Sequence, residues 1–304
     1  MWFRYLLVAL IPAIASGDIR VTVKAGENEA NSSVQFTGEN TEIISDQERK
    51  TFNIESSWNL REACRIFSGG RPDSVYVKEP TPWGVYHKYS WPEVERILKP
   101  VKAKILGIHT KPVIVSTQEF ENHSKVKVKY QAGVSQAVQQ TVTQSWSTGG
   151  QLTVGQEIRY NVEFGFGDVG GSTSISYSHS WGSENSKSQS VTLGSTTGVE
   201  VELEPGQAVM ATLTANYGTL DIEVDYEAYL TGSVFGNYEH TYKGHHFWDY
   251  PVDSIMEAGK HPKTVKSMEK ISVGFYSSAK VDVTDRVTMT LLKSVPAAIR
   301  VNVD

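Results

Sequence analysis

The 304-residue chain has one cysteine, Cys64, so no internal disulfide can staple it. Its stability must come from burial, and the length is sufficient for that. A lone buried thiol is the expectation at position 64. Catalytic signatures are missing as well: there is no His-Glu-x-x-His, no Gly-x-Ser-x-Gly elbow, no P-loop and no dinucleotide fingerprint. "GDVGGSTS" is glycine-rich, but no helix follows it to offer an N-terminus to phosphate. His245 and His246 are adjacent, and neighbours on a strand point to opposite faces rather than converging on a metal. Glu200 and Glu202 share one strand face, an ordinary solvated pair. The expectation is no enzyme, no catalytic residue, no metal site and no cofactor.

Charge is also sparse. Charged residues make up 21% of the chain, the net charge is −5, and no basic stretch stands out, which argues against nucleic acid as a partner. Between Gln131 and Gln156 there is no charged side chain at all, while Ser, Thr and Gln abound. Val134, Val138, Val142, Trp146, Leu152 and Val154 persist there, so the segment has more to bury than a disordered one.

Long apolar runs are confined to the start. In "MWFRYLLVALIPAIASGD", Arg4 leads an apolar run from Tyr5 to Ala15, and Ala15-Ser16-Gly17 has the small residues of a cleavage site. Residues 1–17 are expected to be a signal peptide, too short for a membrane span of ~20 residues. Export would leave a secreted, extracellular chain. Asn31 and Asn122 stand in N-x-Ser sequons and are candidate N-glycosylation sites.

What remains is mostly strand pattern. Residues 18–115 read as a small α+β N-terminal domain. In it "WPEVERILKPV" is the best helix candidate, with Pro92 in the first turn and Val94, Ile97 and Leu98 on one face. Trp58, Trp83, Tyr86, Tyr89 and Trp91 cluster nearby, and Trp83, Tyr86, Tyr89 and Trp91 are candidates for docking a glycan or lipid headgroup. Residues 116–304 read as a long-stranded antiparallel module. Strands are expected over about 121–148, 151–166, 169–181, 187–203, 207–217 and 219–235, with a Pro205-Gly206 turn. Beyond them come an aromatic patch, "HHFWDY", a short helical stretch near 253–258, and "KISVGFYSSAKVDV" as a further strand.

The region 152–181 is the most informative. Leu152, Val154, Ile158, Tyr160, Val162, Phe164 and Phe166 occupy even positions, with Glu157, Arg159, Asn161 and Glu163 between them. After Gly167-Asp168 the apolar set moves to odd positions: Val169, Ile175, Tyr177 and Trp181. A two-residue turn at Gly167-Asp168, or at Gly170-Gly171, brings both greasy faces to one side of a hairpin. Its arms match the ~9–11 tilted residues of a bilayer-crossing strand, apolar outward and polar inward. About eight apolar side chains at ~1.5–3 kcal/mol each give on the order of 12–24 kcal/mol for burying one such face. A single hairpin in lipid would leave bare backbone edges costing several kcal/mol per group, so insertion requires closure into a ring. Alternation alone leaves an ordinary sandwich open as the other reading.

The stretch from "VEFGFGDVGGSTSISYSHSWG" through "LEPGQAV" to "TLDIEVDYEAYLTGSV" resembles the pore module of the aerolysin-like β-pore-forming proteins. The resemblance rests on a Ser/Thr-rich run, an amphipathic hairpin, Ser180-Trp181 after it, a turn with Pro205 and a final alternating strand. The mature chain is also similar to a secreted branch with spherulin-like and insect follicular-epithelium yolk proteins. The resemblance implies an elongated, mainly β protein that binds membranes and assembles into a ring, commonly of seven copies. It implies insertion of hairpin 152–181, with a tip at residues 164–169, Leu152 to Tyr177 facing lipid, and Glu157, Arg159, Asn161 and Glu163 facing the lumen. The implied partners are a lipid membrane, further copies of the chain, and a glycan or glycoprotein receptor, in a defence or toxin-like role. A storage (yolk-type) protein and a lectin-like module are the alternatives on the same fold. The tip lacks the proline of the bacterial toxin, and no counterpart of its receptor-binding domain is visible, so receptor identity does not carry over.

Overall fold

The computed structural model describes residues 17–147, 152, 155, 157–165, 172–195 and 198–301. The expected signal segment falls outside these residues except for Gly17, and Val154, Phe166 and Val169 lie outside them too. The spine is three antiparallel strands: β4 (Glu95–Glu121), β11 (Ala208–Thr231) and β14 (Thr264–Asp285), with β11 hydrogen-bonded between the other two. At ~3.3 Å per residue, the 27 residues of β4 extend up to about 90 Å, which makes the molecule long.

The remaining strands complete an order in one large sheet. In chain order they are β1 (Gly17–Ala25), β2 (Ser33–Ile43), β6 (Ser135–Trp146), β7 (Glu157–Gly165), β8 (Ser172–Ser180), β9 (Asn185–Gly194), β15 (Leu291–Pro296) and β16 (Ala298–Val301). The path runs β16-β9-β6-β14-β11-β4-β2-β1-β7-β8, with β15 on the far half of β14. β1 and β7 are parallel; the other pairs are antiparallel. A separate pair joins β5 (Val128–Ala132) to β10 (Val199–Leu203).

β11 shows how one strand serves two cores. Val209, Ala211, Leu213 and Ala215 are buried at odd positions, then Leu220, Ile222, Val224, Tyr226, Ala228 and Leu230 at even ones. The register with β14 slips between Thr214 and Asn216, where β14 carries one extra residue, and near there the buried side of β11 passes from its odd to its even positions. The odd set packs with β5, β9 and β10; the even set packs with β1 and β7. The two strands expected over 207–217 and 219–235 are therefore one strand with a change of face, continued by a separate strand from Ser233. Conversely, the expected strand 121–148 is broken after Glu121 and at Gly133, and 187–203 is split at its glycines. A Cβ on Gly194 would collide with the Val134 carbonyl, so that break requires glycine.

"WPEVERILKPV" is not a helix. It enters β4, and burial alternates: Val94, Arg96, Leu98 and Pro100 are buried while the residues between are half-buried. Val94 and Leu98 fit both periods, and tertiary pairing with β2 and β11 decides in favour of strand. Strand geometry also seats Arg96, fully buried, against Glu48 (Nε–Oε1 2.8 Å) and Glu42 (Nη2–Oε2 3.0 Å). Glu48 closes the capping box of α1 (Asp46–Thr51) with Ser45, which ties that helix to the spine. β2 covers β4 only over 95–98, so Pro100 lies on an open edge and gives up no ladder bond there.

A head region caps one end of the spine. It combines α2 (Ser57–Ser68), β3 (Ser74–Tyr76) and α3 (Val85–Tyr89) with β12 (Ser233–Tyr242), β13 (His245–Pro251) and α4 (Val252–Ala258). α2 is capped by the Ser56 side chain, which accepts from the Asn59 amide, and stops at Gly69 in the left-handed region. The expected division at 115/116 falls inside β4, and the head draws on residues from both sides of it. Cys64 is buried, as expected, and burial pushes its thiol up to about 12.

Candidate functional site

The hairpin β7–β8 lies at the outer end of the large sheet. Val162 stands opposite Ile175 and Phe164 opposite Thr173. A two-residue turn at Gly167-Asp168 would put 162 opposite 173, so the register differs from that expectation by two residues while the shared face is kept. β1 holds β7 through a parallel ladder from Arg20↔Arg159 to Ala25↔Phe164, and among the described residues β8 has no second partner strand.

The greasy face is turned inward. Leu152, Ile158, Tyr160, Val162 and Phe164 are buried, and Ile175 and Tyr177 are half-buried against the same core. Ile158 to Phe164 contribute on the order of 6–12 kcal/mol to seating the hairpin. Glu157, Arg159 and Glu163 are exposed on the opposite face and Asn161 is half-buried. Arg159 pairs with Asp18 at 2.8 Å, Asn161 donates to Glu163, and Ser176 donates to Asn161. The seam also contains misfits. Among the described residues the buried Tyr177 hydroxyl has no partner, and Gln140 accepts from Thr173 while its Nε2 finds none. Each such group costs ~1–3 kcal/mol, so the hairpin is held less firmly than its apolar area suggests.

At the head, a cavity of about 660 Å³ is lined by Trp83, Tyr89, Trp91, Phe247, His245 and Glu239, among others. Trp83 and Tyr89 are exposed and Trp91 is half-buried; Tyr89 stacks on Trp91 at 5.0 Å, and Trp83 lies 5.1 Å from Phe247. Tyr86 departs from the sequence expectation. It is buried, its hydroxyl lies 2.8 Å from the Tyr76 carbonyl oxygen and accepts from the Phe235 amide, and burial holds its phenol well above the usual range. It props the cavity from beneath and cannot touch a ligand. β13 supplies Phe247 and His245, which the sequence signalled only as an aromatic patch.

The two sequons separate. Asn31 is exposed at a short 3-10 turn. Asn122 is fully buried; its amide donates to the Val126 and Leu203 carbonyls and its Oδ1 accepts from Ser124. A glycan on Asn122 is incompatible with this fold, because the nitrogen it needs is buried and ties the turn at Val126 to the end of β10. His246 is bonded to the Tyr238 carbonyl, and among the described residues no metal-binding cluster forms. Glu200 and Glu202 pair with Lys129 and Lys127 at the surface.

Residues 101–301 match the family described as Clostridium epsilon toxin ETX/Bacillus mosquitocidal toxin MTX2. The chain belongs to this ETX/MTX2 family. Two similar relatives are U-megalopygitoxin(8)-Mc8 of Megalopyge crispata and U-megalopygitoxin(8)-Mo12 of Megalopyge opercularis. Each is 38% identical over 288 residues, covering 94% of this chain and 99% of the relative. Among solved structures, parasporin-2, a Bacillus thuringiensis toxin that recognizes cancer cells, superposes with a TM-score of 0.57. At 15% identity, that match covers 85% of this chain and 99% of the other, and it establishes a shared aerolysin-like fold. ETX/MTX2 proteins are β-pore-forming toxins that act on target membranes.

Proposed function

We propose that the chain is a secreted pore-forming protein whose β7–β8 hairpin, residues 152–181 with their flanks, leaves its seat and lines a transmembrane β-barrel built from several copies. The observation that supports this best is the double duty of one face. Ile158, Tyr160, Val162 and Phe164 seal the core of the soluble chain, and the same side chains suit lipid once the hairpin is extended. Glu157, Arg159, Asn161 and Glu163 already face water and would line the lumen, where two carboxylates against one guanidinium give a weak cation preference. Only a ring closes the exposed edges, so assembly precedes insertion.

The head cavity, with Trp83, Tyr89 and Trp91, is the proposed contact for a glycan or lipid headgroup. Flat rings supply stacking area there, and Glu239 and His245 supply polar contacts. The amino-terminal segment directs export. Dye release from vesicles, with electron microscopy of the membranes, tests the whole proposal. Leakage accompanied by annular assemblies supports it. A chain that binds vesicles without leakage or rings would leave the storage or lectin-like alternative.

A further inference from the structure

Glu269, on β14, lies directly under the hairpin and is fully buried. Three neutral donors meet its carboxylate: Gln144 Nε2 at 2.7 Å and the Tyr160 hydroxyl at 2.8 Å, both to Oε1, and the Tyr226 hydroxyl at 2.7 Å to Oε2. Gln144 on β6 and Tyr226 on β11 belong to the scaffold; Tyr160 belongs to β7. The hairpin thus closes the lid on a carboxyl group and bonds to it at the same time.

The rest of the enclosure is aromatic. Trp181, at the foot of the hairpin, lies 4.4 Å from Trp146 and 5.0 Å from Tyr226, and Tyr177 of β8 stacks on Tyr160 at 5.1 Å. Among the described residues the titratable groups that face Glu269 are phenols, Tyr160 from β7, Tyr177 from β8 and Tyr226 from β11, while β6 offers the neutral Gln144 and Trp146. Among the described residues no Lys, Arg or His pairs with it. A carboxylate without a cation in so dry a place is costly, whereas a carboxylic acid with the same neighbours is not.

We propose that Glu269 is a proton-operated latch: the hairpin sits firmly while this carboxyl is protonated, and its ionisation loosens β7–β8 from the scaffold. The proposal rests on the reading of β7–β8 as the detachable element. Burial pushes the carboxyl up to about 7, against an ordinary 4.5, and the three hydrogen bonds only partly offset that. The seated state therefore holds the proton more tightly than the released, wetted state does. Its advantage is complete below the wetted value and is lost as pH climbs through 7. Between those limits the released-to-seated ratio rises about 300-fold, of which about 70-fold falls between pH 5 and pH 8. Acid closes this latch, and neutral to alkaline conditions open it.

Amide hydrogen exchange on the soluble full-length chain, without lipid and corrected for intrinsic rates, reads the latch separately from pore formation. In the wild type, protection of 157–165 and 172–180 should fall about 70-fold from pH 5 to pH 8, with Leu220–Val224 on β11 nearly unchanged. Glu269→Gln, neutral at every pH, should flatten the hairpin's profile. Tyr160→Phe removes a bond that favours the charged form, so its midpoint should move above that of the wild type. A wild-type hairpin whose protection is flat or rises with pH overturns the latch, and so does full pH dependence in Glu269→Gln. Should Glu269→Gln not fold, the wild-type and Tyr160→Phe profiles decide by the same criteria. A chain that never permeabilises vesicles leaves this test intact, because exchange requires no membrane.

Discussion

If the hairpin must leave β1 to act, a covalent tie between them should silence the protein reversibly. Thr22 and Asn161 are paired across the parallel β1–β7 ladder, and both are half-buried. Strand neighbours stand ~4.8 Å apart, inside the 4.4–6.8 Å that a disulfide accepts between Cα atoms. Thr22→Cys with Asn161→Cys should therefore oxidise without moving the backbone, and Cys64 is too deeply buried to compete. Closing a loop of about 140 residues should raise stability by ~2–5 kcal/mol. Release of the hairpin then requires breaking a bond rather than exposing the four buried side chains of β7, which cost on the order of 6–12 kcal/mol. Dye release should fall to background in the oxidised protein and return with dithiothreitol, while vesicle binding is the same in both forms. Equal leakage from oxidised and reduced protein would show that β7 stays beside β1 and that the barrel, if any, is built from another segment.

Other substitutions separate roles that the structure distinguishes. Phe164→Ala should cost ~3–5 kcal/mol in urea unfolding, because Phe164 is core in the soluble state and not a free tip; an unchanged midpoint would contradict its burial. Trp83→Ala should weaken vesicle or glycan binding about tenfold with the melting temperature nearly unchanged. Tyr86→Phe should do the reverse, lowering the melting temperature and sparing binding. Arg96→Ala strands Glu48 and Glu42 in or near the core and should destabilise by ~3–5 kcal/mol by thermal or urea unfolding.

The hairpin was legible in the sequence because its signal is local: a two-residue period over about fifteen positions needs no knowledge of what packs against it. The β11 strand was legible in its two halves and not as a whole, since its buried positions pass from odd to even where a different core covers the opposite face. The start of β4 was misread for a different reason. Val94, Ile97 and Leu98 satisfy a helical spacing, and the residue that would have exposed the strand is Arg96, a charge at a core position. Its burial depends on Glu48 and Glu42, 48 and 54 residues away, which no window around Arg96 contains. Tyr86 looked like its aromatic neighbours, and only the arrival of Phe235 from a distant strand makes it structural. Glu269 gave no sign either, because "MEKIS" reads as an ordinary wet position until Gln144, Tyr160 and Tyr226 converge on it.

The outer border of β4 has a consequence of its own. Beyond residue 98, over a length of more than twenty residues, no strand among the described residues pairs with that border. Along it stand Lys99, Lys102, Lys104 and Lys111, together with Pro100 and Pro112. A second molecule approaching there meets ammonium groups and two places with no N–H to offer. Two copies are thereby kept from pairing side by side along their longest strand.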